Sequence, residues 1–295
     1  MVSQRKIEID SLAKYAEKIE QLLEATLKRQ ADAPYKGNWY RGVGNATAHK
    51  LIPSLYRHPS LSEVEPLIKL ERTMLEDFER QNVLHTSVPT PMAGSDEARP
   101  LLSLFFMQHH GIPTRLLDWT SNPFIALYFA LSSAAMTDDA KGYKADAAVW
   151  ILDPVAWNEV ALAQVTHGKG GPLSHDSDIP VTGYGPRKLY NGALQPTAIS
   201  TLYDYPAAIL GVANTARMFA QRGVFTIFGR TVQPLEDQYT NGKFPTGTLT
   251  KMVIPKEHIK GLLEKLLYVG YTDSVSYPDL SGLAMEIKRS RGFRV

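Results

Sequence analysis

Residues 99–132, RPLLSLFFMQHHGIPTRLLDWTSNPFIALYFALS, constrain the fold more than any other stretch. Two apolar runs flank a crowded polar junction. Gln108, His109, His110, Thr114, Arg115, Asp118, Thr120, Ser121 and Asn122 fall within fifteen residues. A connector alone does not need so many hydrogen-bonding side chains. If the flanking runs are buried, these groups require partners or a ligand. Leu101, Leu104, Phe105 and Met107 leave most of one helix surface apolar, which sinks that helix in a core. Gly111 can end it by taking a positive φ, and Pro113 discourages continuation. Asn122 followed by Pro123 is a helix start, with Asn as cap and Pro at the first helical position. Phe124, Ala126, Leu127, Phe129 and Ala130 again leave little polar surface. Residues 114–121 therefore lead into the N-terminus of a buried helix. Free N–H groups there suit an anion or a phosphate. The Asn122 cap alone satisfies them equally well.

The rest of the chain supplies a core of ordinary proportions. Its 295 residues suffice for one large domain or two small ones, and 44% are hydrophobic against 21% charged. The formal charge of +2 makes no bulk electrostatic case for nucleic-acid binding, although a local basic patch stays open. Cysteine is absent, which excludes disulfides, thiolate nucleophiles and Cys-ligated zinc and suits a reducing, cytoplasmic setting. The opening MVSQRKIEID lacks the apolar core of a signal peptide. No apolar run reaches membrane-spanning length, so no membrane partner is expected.

Helical periodicity places an amphipathic helix over 10–29, with Asp10 or Ser11 as cap, through Leu12, Tyr15, Ala16, Ile19, Leu23 and Leu27. A strand or turn edge is expected at 39–41, followed by the flexible pair Gly42 and Gly44. Ser60 and Glu63 fit a capping box for a helix running to about Asn82. Residues 83–99 read as a loop, and 165–198 resist assignment. Strands are expected at 147–152, 223–228 and 249–254, and a short helix ending near Gln221 within the segment that starts at 206. Helices follow at 256–267 and 278–288, the latter containing Leu280, Leu283, Ala284 and Ile287. The strands are far apart in sequence and should meet in one sheet. The expected fold is α+β, a single compact domain with a mixed or split central sheet flanked by helices.

Several chemistries find little support. His109 and His110 are adjacent, which points them apart on a helix, and no HExxH occurs, so no metal site is expected. No GxSxG marks a serine hydrolase. Carboxylate-pair glycoside chemistry needs two opposed acids, and only Asp118 is a credible buried one. A charged nucleotide or dinucleotide fits better. Arg41 and Arg115 can neutralise a diphosphate; Thr120, Ser121 and Asn122 can bond ribose hydroxyls. Trp119 or Tyr128 can stack on a base, although core packing explains both aromatics as well.

Five segments then carry a resemblance: YRG (40–42), LIPSLYR (51–57), QHHGIPTRLLDWTSNPFIALYFA (108–130), AQRGVFTIF (220–228) and YPDLSGLA (277–284). Together they resemble the FRG-domain family, named for its Phe/Tyr–Arg–Gly motif. The resemblance runs from about residue 35 to 286. It implies an N-terminal helical extension over 1–34 and an FRG-like domain over 35–295. Members are generally uncharacterised, and some look linked to bacterial toxins or defence against phage. The order of motifs is distantly similar to that of ADP-ribosyltransferases, which clamp NAD in a split sheet. That likeness implies NAD as substrate and a protein or nucleic acid as acceptor of ADP-ribose. Arg41 would match the early-strand Arg or His, and Thr120–Ser121 the Ser/Thr–Ser motif before an alanine- and aromatic-rich helix. The later-strand Glu is replaced by Gln221, which can hydrogen-bond but carries no charge. Asp118 or another acid would have to compensate, and Asp118 could instead only anchor Arg115. Hydrolysis of NAD or another nucleotide, and a noncatalytic nucleotide- or protein-binding module, are the alternatives.

Overall fold

A computed structural model describes residues 7–82, 99–165, 170–175, 178–191, 193–212, 216–293 and 295. Its strands are β1 (Ile7–Glu8), β2 (Trp39–Val43), β3 (Leu116–Thr120), β4 (Ala147–Leu152), β5 (Leu173–Ser174), β6 (Arg187–Tyr190), β7 (Ala193–Pro196), β8 (Ala207–Leu210), β9 (Gly223–Ile227) and β10 (Leu249–Ile254). Its helices are α1 (Leu12–Arg29), α2 (Val64–Gln81), α3 (Arg99–His109), α4 (Pro123–Ser132), α5 (Pro154–Ala161), α6 (Asp178–Tyr184), α7 (Ala216–Gln221), α8 (Leu235–Asn241), α9 (Lys256–Tyr268), α10 (Asp273–Ser276) and α11 (Leu280–Ser290).

Eight strands form one mixed sheet in the order β1-β10-β4-β2-β3-β9-β8-β5, and β6-β7 is a separate hairpin. The outermost pairs, β1 with β10 and β5 with β8, are parallel; the rest are antiparallel. Strand β4, AAVWIL, shows why the sheet is covered on both faces: all six residues are buried. Ala148, Trp150 and Leu152 enter one core with Trp39, Phe105 and Leu116. Ala147, Val149 and Ile151 enter the other with Tyr40, Ala126, Leu127 and Ile259. This is the period-two alternation of a strand with two apolar faces.

The sheet is split near its middle. Strand β2 pairs with β4 over five residues, and β3 with β9 over five, but β2 and β3 share only the register pair Tyr40 and Thr120. Past that pair the two strands part, and a cleft opens between them.

Helix α4 sits across the back of the split. Its apolar surface is continuous, as expected of a helix sunk in a core. It lies very close to β2. A Cβ built on Gly42 would come within 1.9 Å of the Ala126 carbonyl oxygen and 2.5 Å of the Ala130 nitrogen. One built on Gly44 would meet the Ser133 carbonyl oxygen at 2.3 Å. The glycines after Arg41 are therefore needed for contact between strand and helix backbones, with small Ala126 and Ala130 completing the fit. Helix α1 joins this side through Tyr15 and Ile19, and the Tyr15 hydroxyl donates to the Pro123 carbonyl at 2.6 Å.

Local corrections have physical causes. The junction at 114–121 is not only a polar connection, because 116–120 pair with β9 as a strand. The helix expected to begin after Ser60 starts at Val64, with Glu63 as a cap that makes no side-chain bond. The Ser60 and Leu61 N–H groups instead donate to His58 Nδ1. The short helix expected to end near Gln221 is α7 at 216–221, and the strand β8 occupies 207–210 ahead of it. The unassigned tract at 165–198 holds β5, α6, β6 and β7. The loop expected over 83–99 lies, except for its last residue, outside the described residues.

Candidate functional site

The split sheet encloses a cleft of about 340 Å³. Its walls come from four separate parts of the chain: Tyr40, Arg41 and Gly42 of β2; Gln108 and His109 of α3; Asp118, Trp119 and Thr120 of β3; and Arg217, Met218 and Gln221 of α7. Gly223, Phe225, Phe129 and Ser133 complete it.

Arg41 bridges the split. Antiparallel pairing from Tyr40 and Thr120 would bring Gly42 opposite Asp118, but the strands have parted there. The Arg41 guanidinium replaces the missing backbone bond, with Nη1 donating to the Asp118 carbonyl at 2.5 Å. The Asp118 carboxylate lies 3.9 Å from the same nitrogen. Arg41 Nε is buried and has no hydrogen-bond partner. Burial lowers the Arg41 pKa, opposed by the Asp118 charge and reinforced by Arg57.

Asp118 is held by a short relay. The Leu116 N–H donates to Thr114 Oγ1 at 3.1 Å, and that hydroxyl donates to Gln108 Oε1 at 2.7 Å. This orients the Gln108 amide, whose Nε2 donates to Asp118 Oδ2 at 2.7 Å. The carboxylate remains 55% exposed, so it faces solvent as well as the cleft. Among the described lining residues it is the sole acid. His109 is held below its ordinary pKa by burial first, then by His110 and Arg217, with Asp118 opposing. Tyr40 is pushed up to about 12, chiefly by burial.

On the far wall, the Thr120 hydroxyl donates to the Gln221 carbonyl at 2.6 Å and accepts from the Asn122 N–H at 3.0 Å. The Ser121 N–H donates to the Arg222 carbonyl at 3.1 Å. These bonds fasten the end of β3 to the end of α7. The Gln221 side chain turns toward the C-terminal helices, with Nε2 donating to the Ser276 carbonyl at 2.8 Å. Arg217, one helical turn earlier, stacks over the Tyr277 ring at 4.7 Å.

The cleft thus brings together Arg41, Asp118, Trp119, Thr120 and Gln221. It does not include Arg115, Ser121, Asn122 or Tyr128. Arg115 is fully buried and ion-paired: its N–H and Nε donate to the two Glu71 carboxylate oxygens at 2.9 and 2.7 Å, and Nη2 donates to the Tyr184 carbonyl at 2.8 Å. Burial opposes its charge, but Glu71 and Tyr56 outweigh that and raise its pKa. A guanidinium so enclosed is not presented to a diphosphate. Tyr128 is likewise fully buried and donates to Asp273 Oδ1 at 2.5 Å, too enclosed to stack on a base. Asn122 Oδ1 accepts from the Phe124 and Ile125 N–H groups, so the cap satisfies the start of α4. Trp119 reaches the cleft but is only 3% exposed, with Nε1 donating to Thr226 Oγ1 at 3.1 Å.

Sequence reasoning singled out Gln108 and His109 only as members of the polar junction, and it passed over Arg217 and Phe129. Arg217 had a usable signal, since it stands four residues before Gln221 and so shares its helical face. Half-buried Phe129 had none, because it lay within a uniformly apolar helix.

No curated protein and no solved structure matches the chain. A family model does match, over a narrower span than the 35–286 suggested by the motifs, and it takes in Arg41, Gly42, Gln108, Asp118 and Thr120 but not Gln221. That model is the FRG domain, which matches residues 36–139.

Proposed function

We propose that the split-sheet cleft binds NAD and transfers ADP-ribose to a macromolecular acceptor, as a component of a toxin or phage-defence system. One observation carries this reading. Arg41, Asp118, Thr120 and Gln221, drawn from distant parts of the chain, line the same cleft. Cationic Arg41 and Arg217 suit the diphosphate. Thr120 and Gln221 form the wall beside the ribose, and half-buried Phe129 offers a ring face to the nicotinamide or the base.

In the reaction the bond between ribose C1′ and the nicotinamide nitrogen breaks, and its electron pair leaves with nicotinamide. The acceptor's lone pair forms the new bond to C1′, and Asp118 takes the acceptor's proton. The exposure of Asp118 favours transfer over hydrolysis in a closed pocket, because a bulky acceptor can approach it. The amide at 221 supports the other reading, a noncatalytic nucleotide-binding module. It adds no negative charge for an oxocarbenium-like state, and its nitrogen is engaged by Ser276.

Purified protein is incubated with NAD labelled in the adenylate and nicotinamide moieties, together with cell lysate. Label appearing on protein or nucleic acid, and lost in Arg41→Ala and Asp118→Asn, is the expected result. Nicotinamide release without label transfer converts the reading to hydrolysis. Saturable NAD binding without release selects the binding module. Absence of binding and of release overturns the NAD proposal.

A further inference from the structure

The YPDLSGLA segment at 277–284 lies outside the span that the FRG model matches, and none of its residues lines the cleft. It stands directly behind residues that do. The Arg217 guanidinium carbon sits over the Tyr277 ring, 4.7 Å from its centroid. The Phe129 ring meets the same tyrosine with centroids 5.9 Å apart and planes at 86°. One residue earlier, the Ser276 carbonyl accepts from Gln221 Nε2 at 2.8 Å. Three lining residues from α4 and α7 are thus held by two consecutive residues of the C-terminal region.

Arg217 makes no hydrogen bond or ion pair among the described residues, although it lines the cleft. A cation over an aromatic face is held without an acceptor atom, so its N–H donors stay open. Asp279, a carboxylate that feels the Arg217 charge, is committed elsewhere. As the N-cap of α11, its Oδ1 accepts from the Ser281 and Gly282 N–H groups at 2.8 and 3.1 Å. Arg41, by contrast, already uses Nη1 on the Asp118 carbonyl and faces that carboxylate at 3.9 Å. Of the two lining arginines, Arg217 is therefore the one with its fork free for a phosphate. We propose that Tyr277 is the positioning residue of the ligand site: it presents the Arg217 guanidinium to a phosphate group and sets the Phe129 ring beside it. The inference rests on the reading of the cleft as a nucleotide site, and it assigns the phosphate subsite within it.

Tyr277 is itself firmly seated. Its N–H donates to the Asp273 carbonyl at 2.8 Å, and its own carbonyl accepts from the Asp279 N–H at 2.8 Å. A Cβ built on Gly282 would stand 1.9 Å from that Tyr277 carbonyl oxygen, so glycine there lets α11 close over it. Asp273 ties the segment to α4 through the Tyr128 hydroxyl and to α11 through Arg289. A guanidinium placed in advance loses less rotamer freedom when its ligand arrives.

The test is isothermal titration of the full chain and its variants with two probes, inorganic pyrophosphate and NAD. Pyrophosphate reports on the guanidinium without a base or a ribose. Tyr277→Leu should weaken pyrophosphate binding by about 3–30-fold, the range of a cation–π contact. Tyr277→Phe keeps the ring and should stay within about twofold of the parent. Arg217→Lys keeps the charge but loses the planar fork, and should weaken binding by about tenfold. It carries the test if Tyr277→Leu does not fold, because Arg217 is only half-buried. A parent that binds no pyrophosphate overturns the proposal. So does binding indifferent to Tyr277→Leu or to Arg217→Lys, or an equal loss in Tyr277→Leu and Tyr277→Phe. The expected pyrophosphate pattern without any NAD binding upholds the positioning role and refutes the dinucleotide reading alone. NAD bound equally by the parent and Tyr277→Leu refutes the positioning role alone.

Discussion

Replacing Gly42 with Ala tests the packing that builds the cleft. The added Cβ would stand 1.9 Å from the Ala126 carbonyl oxygen and 2.5 Å from the Ala130 nitrogen. That is roughly 1 Å inside the closest approach that packed atoms tolerate. Both obstacles are backbone atoms of α4, so no side chain can rotate away. The helix would have to withdraw by about that distance along its contact with β2, loosening Ile125, Ala126, Leu127 and Ala130, all buried. Overpacking of well-packed cores costs about 1–3 kcal/mol. With helix backbone as the obstacle, we expect roughly 3 kcal/mol or more, lowering the thermal midpoint by roughly 5–10 °C. Gly261→Ala is the control: it lies inside α9 with nothing within 4 Å of its Cβ position. It should be neutral or stabilising by up to about 1 kcal/mol. Urea unfolding followed by circular dichroism measures both. If Gly42→Ala unfolds within about 0.5 kcal/mol of the parent, the close approach of β2 and α4 is refuted.

Three further predictions concern charges. Glu71→Ala should destabilise by roughly 3–5 kcal/mol, because it strands the Arg115 guanidinium without a counter-charge. Adding Arg115→Met should recover part of that loss in urea unfolding, and a double variant no more stable than the single one counts against the assignment. Burial pushes the Asp273 carboxyl up, but the Arg289 and Tyr128 bonds outweigh it and hold the group below its ordinary 3.8. Its stabilising share is thus complete above pH 3.8 and lost as pH falls through the lower folded value. The stability gap between the parent and Asp273→Asn should shrink on acidification through that window, and an unchanged gap at about pH 2.5 would sink the argument. Finally, the His109 ring should titrate by NMR with a midpoint below 6.5, as burial, His110 and Arg217 require. A midpoint at or above that value would contradict the cleft electrostatics.

Local rules read well where the signal was local. Asn122–Pro123 started a helix because the Asn side chain and the fixed proline φ act within three residues. Gly111 took φ +79° just past α3. The strands at 147–152, 223–227 and 249–254 were legible as compact apolar runs, and they do lie in one sheet. Strand β3 was harder, because LLDWT interrupts its apolar residues with an acid that belongs to the cleft. Strand β8 lay in an alanine-rich segment that suits a helix equally, and only its bonds with β9 decide the matter.

The same division holds for the site. The crowded polar residues at 108–122 announced, from their types alone, that this junction needed partners. Which partner each one took depended on residues far away. Arg115 is a core residue because Glu71 comes to it from 44 positions earlier, and Tyr128 because Asp273 comes from 145 later. Arg41 reaches Asp118 across 77 positions because β2 and β3 separate after one register pair. The sequence by itself determined the longer helices, the strands β2, β4, β9 and β10 and the two glycines that follow Arg41, since propensity, capping and periodicity act over a few residues. The tertiary structure alone decided which charges were buried in pairs and which were left facing the cleft, because burial and Coulomb energy depend on distance in space rather than along the chain.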